Sequence, residues 1–147
     1  MAFKRKRIGT RNRIFATMPG DCEHFAAVVG EAVNVEPRFW ETRAKHEKWH
    51  PEETFVIDLL TLRLRKRYMR HRVEIGHMLH AHASNLFHSM DRHRLMEQDF
   101  PELHRACSRI EGEMAGRFVV QLAKESGYVE ACHPAVTVQS VWEGRLV

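Results

Sequence analysis

Residues 51–72 read PEETFVIDLLTLRLRKRYMRHR, and the architecture follows from this stretch. Pro51 suits the first turn of a helix, where its missing N–H has no intrahelical partner to lose, and Glu52 and Glu53 fall at the positive end of the helix dipole. Apolar residues then continue through Phe55, Val56, Leu59, Leu60, Leu62, Leu64, Tyr68, Met69, Val73, Ile75, Met78, Leu79, Leu86, Phe87 and Met90, with no proline before Pro101. A helix unbroken over 51–96 would reach about 70 Å at about 1.5 Å per residue, longer than a compact domain of this size is wide. The central helix therefore bends or projects into an oligomer. Gly76 and Ser84-Asn85 are its expected weak points, because these residues have poor helix propensity in an otherwise strong run.

On the N-terminal side, Pro19-Gly20-Asp21 forms a turn and a helix start, and Phe25, Val28, Val29, Ala32 and Val33 recur at helical spacing, predicting a first helix over 21–35. Pro37 opens a short second helix carrying Phe39, Trp40 and Trp49, which ends before Pro51 because the proline ring disfavours helical geometry at His50. On the C-terminal side, Pro101 opens a last helix whose stripe is Leu103, Ala106, Cys107, Ile110, Met114, Phe118 and Leu122, ended by Ser126-Gly127. Residues 128–147, with Val136, Val138 and Val141 near Trp142, read as a short strand or an extended tail. Residues 1–17 are basic and lack a period, as an arm that orders on binding would be. The expected fold is all-α: a small helical bundle over 18–127 with one long central helix, a basic N-terminal arm over 1–17 and an irregular C-terminal tail over 128–147.

The length of 147 residues fits one domain, and 44% hydrophobic residues argue against general disorder. Cys22, Cys107 and Cys132 are odd in number and form no C-x-x-C pair, so reduced thiols are expected rather than a disulfide framework. No apolar run approaches the length of a membrane span, and the basic N-terminus is not followed by a signal-peptide core. A cytoplasmic protein is expected, or a virion component if the chain is phage-encoded.

Charge is the most unequal property of the chain. Of 23 Lys and Arg, six fall within residues 4–13 and six within 63–72, with no acid in either stretch. Like charge at this density repels itself unless an anion lies against it, which points to a phosphate backbone. Lys4, Arg5, Lys6, Arg7, Arg11 and Arg13 make the arm. On the central helix Arg63, Arg67 and Arg70 follow i, i+4, i+7, Lys66 lies one turn from Arg63 and Arg70, and Arg72 falls just beyond, giving a cationic ridge beside the Leu60, Leu64, Tyr68 stripe. The same guanidinium groups could instead pair with Glu52, Glu74, Glu111 or Glu113. The expected function is a nucleic-acid-associated accessory protein that holds DNA or RNA by its phosphates, with little sequence reading. The alternative is a structural subunit of a homo-oligomer or virion-type assembly, built from the same residues.

His46-Glu47-Lys48-Trp49-His50 has H-E-x-x-H spacing, which on a helix puts two imidazoles on one face for zinc and a glutamate beside the metal-bound water of a hydrolase. With 11 His in the chain, this pattern arises by chance in about one such sequence in twelve, and Pro51 stands where a zincin helix would continue. Glu74-x-x-His77 and Glu130-x-x-His133 repeat part of the spacing, but not on the helices a di-iron bundle would need. No metal ligand set, catalytic residue or cofactor is assigned. His77, His80 and His88 read as polar flank or partly buried packing residues, some of them able to protonate in mild acid and add to the positive surface.

Thr17-Met18-Pro19-Gly20-Asp21 followed by Phe25, and the Leu62-Arg63-Leu64-Arg65-Lys66-Arg67 pattern in the helix over 54–74, resemble a group of small uncharacterised bacterial helical proteins. Those proteins carry a basic N-terminus, an L-P-G-E-like turn and a Leu/Arg-rich helix. The likeness covers about residues 8–75. It implies a helical fold and a bacterial or phage origin, and no function.

Overall fold

The computed structural model describes residues 17–44 and 47–138, and among these the fold is all-α. Seven α-helices run in order: α1 Gly20–Ala32, α2 Pro51–Lys66, α3 Arg72–Met78, α4 Ala83–Asp99, α5 Pro101–Arg109, α6 Ala115–Glu125 and α7 Tyr128–Cys132. α2 is the central element. Phe55, Val56, Ile57, Leu59, Leu60, Leu62 and Leu64 are all buried, so the helix is covered on every side, by α1, α4 and α5 along its length and α3 at its end.

The single long helix expected over 51–96 is three helices. α2 ends where Met69 takes a left-handed backbone (φ 54°) and the Arg70 N–H donates to the Leu64 carbonyl at 2.9 Å. α3 ends where His80 does the same (φ 50°) and the Ala81 N–H donates to the Gly76 carbonyl at 2.9 Å. A left-handed non-glycine residue costs about 1 kcal/mol or more, and the turns are held because they fold Ile75, Met78, Leu79 and Leu86 back onto the core. The new helix starts are capped by histidine. His71 Nδ1 accepts from the Val73 N–H at 3.2 Å while Glu74 accepts from the His71 N–H at 3.1 Å, and His82 Nδ1 accepts from the Ser84 N–H at 3.3 Å. Gly76, expected to be a weak point, lies inside α3, and Ser84-Asn85 lies in the first turn of α4 just after the break.

The last expected helix also divides, between α5 and α6, at a turn where Gly112 has φ 89°. Restarting at Ala115 rotates the apolar stripe: Ala115, Val119, Val120 and Ala123 face the core, and Met114 and Phe118 face outward. Gly116 sets how closely α6 approaches α1, because a Cβ there would fall 2.7 Å from Val28 Cγ1. Between α1 and α2 the expected second helix is only a 3-10 turn, Phe39–Glu41, with Trp40 buried. The first part of the C-terminal segment is α7 rather than a strand. Tyr128 packs edge-on against Phe100, and His133 against Phe55, each with ring centroids 5.5 Å apart. Val141 and Trp142 lie outside the described residues.

A buried polar network ties α2, α4 and the end of α7 together. Asp58, 0% exposed, accepts from Ser89 Oγ at 2.6 Å and His133 Nε2 at 2.9 Å and is paired with Arg92. Burial opposes its ionisation, and the hydrogen bonds from His133 and Arg92 outweigh burial, leaving the carboxyl below the usual range. His93 Nε2 lies 2.7 Å from the Asp58 carbonyl and 3.1 Å from Thr61 Oγ1, and burial holds its imidazole down to about 4.

Candidate functional site

The C-terminal end of α2 delivers the basic segment, and its side chains part company there. Arg63 is 0% exposed, so the ridge expected to contain it is not a surface feature at that position. Its guanidinium donates to both carboxylate oxygens of Asp21 (2.8 and 3.1 Å) and to the carbonyls of Cys107 and Ile110, each at 2.9 Å. It also lies 5.0 Å from the centroid of the Phe25 ring. Arg63 thus closes the open C-terminus of α5 and joins it to the start of α1. Tyr68 Oη donates to the same carboxylate at 2.7 Å. Burial of Asp21 opposes ionisation, and the bonds from Arg63 and Tyr68 overcome it, so this carboxyl also sits low.

Arg67 is half-buried at the surface: it donates to the Arg109 carbonyl at 3.1 Å and pairs with the exposed Glu111 at 2.9 Å. Arg70 is half-buried, and Arg72, at the start of α3, stacks its guanidinium 4.3 Å from the Phe87 ring centroid. Among the described residues of the expected set, Lys66 is the one that stands exposed. The arm residues Lys4, Arg5, Lys6, Arg7, Arg11 and Arg13 lie outside the described residues.

At the C-terminal end of α2 Lys66 meets a partner the sequence reading did not single out. α5 presents His104, Arg105, Ser108 and Arg109 toward Lys66 across a recess of about 420 Å³, with Pro101 and Glu97 completing its lining. Glu97 is the one acid among the described residues of that lining. The signal was available as His104/Ser108 and Arg105/Arg109, two i, i+4 pairs that put both cations and the imidazole near one face of a helix. Burial lowers the His104 imidazole below its usual range, Glu97 opposes this, and Lys66, Arg109 and Arg65 reinforce it. A chloride-sized or phosphate-sized anion placed here would meet three permanent cations.

The H-E-x-x-H reading loses its geometry. Residues 47–50 are irregular, His50 is exposed at the start of α2, Trp49 packs against the core, and His46 lies outside the described residues. The helical face that would present both imidazoles is not formed at 47–50. A second recess, of about 400 Å³, brings Arg72, His77, His80 and His82 together. Among the described residues, no three His, Cys, Asp or Glu side chains are placed to hold a metal ion. All three cysteines are free. No helix among the described residues is long and apolar enough to cross a membrane. No protein-family model matches the chain, and no curated protein or solved structure matches it either.

Proposed function

We propose that the chain binds DNA or RNA by the phosphate backbone, at the recess between the end of α2 and α5. The observation that carries this reading is the convergence of Lys66, Arg105 and Arg109 on one recess, opposed among the described lining residues by Glu97 alone. Lysine and arginine in such a cluster bind by releasing condensed counterions from the nucleic acid, whatever its sequence. The six cations within residues 4–13, with no acid among them, support it by their charge. Arg67, Arg70 and Arg72 border the surface, and Arg63 is removed from the contact set because it is buried. Fluorescence anisotropy with labelled DNA and RNA tests the reading. Affinity should fall by orders of magnitude between about 50 and 200 mM salt. Absence of binding to either at low salt would eliminate it.

A subunit of a homo-oligomeric assembly is the second reading. Met114, at the residue before α6, and Phe118, one turn further on, are large apolar side chains left 53% and 46% exposed. Light scattering decides it: a mass above one chain that is insensitive to salt supports apolar assembly.

A further inference from the structure

His104 is the odd member of the basic recess. It is half-buried on α5, it lines the recess with Lys66, Arg105 and Arg109, and its Nε2 is shut off from solvent with no hydrogen-bond partner among the described residues. The groups facing it come from three helices. α2 contributes Arg65 and Lys66, α4 contributes Glu97 and the buried His93, and α5 itself contributes Arg109. Arginine and lysine thus outnumber the single carboxylate, and a charge on the imidazole is opposed by its neighbours as well as by burial. A phosphate drawn into the recess by Lys66, Arg105 and Arg109 reverses that balance, because it places negative charge beside the ring and offers oxygens to an N–H.

Resting on the backbone-binding reading above, we infer that this recess takes an internal phosphodiester of a nucleic acid together with one proton from solvent at His104, so that the chain holds the backbone more tightly as pH falls. The sign follows from linkage. A group that binds a proton more readily in the complex than in the free protein makes association stronger at lower pH, by at most about one log unit per pH unit for one proton. The window lies between the lowered value of the free imidazole and its value in the complex, and so covers mildly acidic pH.

The test uses the full chain and a hydroxyl-ended oligothymidylate, whose diesters and bases have no group titrating between about pH 5.5 and 8. Terminal monoesters are avoided because their second ionisation near pH 6 would mimic the effect. Anisotropy at constant low salt should give tighter binding at low pH for the unmodified chain. His104→Gln should bind with a shallower pH dependence, losing up to about tenfold of the gain per pH unit. His77→Gln, in the other recess, should keep the full dependence. As a second readout, the ring protons of His104 should titrate at higher pH with saturating oligonucleotide than without it. An unchanged pH dependence in His104→Gln, or a ring titration unmoved by the oligonucleotide, would overturn the inference while leaving backbone binding intact. Failure of the unmodified chain to bind at any pH overturns the backbone reading itself.

Discussion

Replacing Arg63 by methionine should unfold the protein more easily without acting through any surface charge. The guanidinium makes two bonds to Asp21 and one each to the Cys107 and Ile110 carbonyls. Methionine fills much of the same volume and satisfies none of these acceptors. Breaking a buried pair from one side costs about 3–5 kcal/mol, and each stranded acceptor up to about 1–3 kcal/mol. The Asp21 side chain is 27% exposed, so water relieves part of its loss, and Tyr68 still donates to it. The expected net is about 3 kcal/mol, at the low end of the range for one-sided removal of a buried pair. In urea, with a slope of about 2 kcal/mol per molar, the midpoint should fall by about 1.5 M at unchanged slope. The assay is helical circular dichroism against urea. Adding Asp21→Asn to Arg63→Met should recover part of the loss, because it removes the stranded charge. A midpoint within experimental error of the unmodified chain would refute the assignment of Arg63 to the interior.

Two further predictions concern the packing. His93 binds a proton near pH 4 when folded, against 6.5 when unfolded, so the unfolded state takes up the proton first. Its contribution is complete above pH 6.5 and lost as pH falls toward 4, by about 3 kcal/mol at most; urea midpoints across this range should slope downward, and less so in His93→Gln. Gly116→Ala should lower stability by about 1–3 kcal/mol because its methyl meets Val28, and Val28→Ala should relieve most of this in the double variant, measured by thermal unfolding.

The elements with proline or acidic starts were the legible ones. Pro51-Glu52-Glu53 and Pro101 open α2 and α5 as read, and Gly20–Ala32 lies within a few residues of its expected bounds. That the run bends was legible, and Gly76 and Ser84-Asn85 bracket the second break, but the exact breaks were not, for two physical reasons. Met69 and His80 take left-handed backbone that their side chains disfavour, and tertiary packing imposes it. The restarts use His71 and His82 as caps, a role for which histidine carries no strong local signal. The basic ridge failed at Arg63 because its neutralising partner, Asp21, lies 42 residues away in sequence. A helix buried on all sides gives no periodic clue to which cation turns inward. Lys66 stands out because it lies in a run of cations, whereas Arg105 and Arg109 are spaced one turn apart in a helix whose pattern is dominated by its apolar stripe.

The central claim is that Lys66, Arg105 and Arg109 contact phosphates together. The direct measurement is the slope of log affinity against log salt for duplex DNA, in the unmodified chain and in the Lys66→Ala, Arg105→Ala, Arg109→Ala triple variant. Each lost phosphate contact removes about 0.9 from the slope, so the variant should be shallower by about 2 to 3. Equal slopes, in a variant whose helical spectrum and urea midpoint match those of the unmodified chain, would contradict the account.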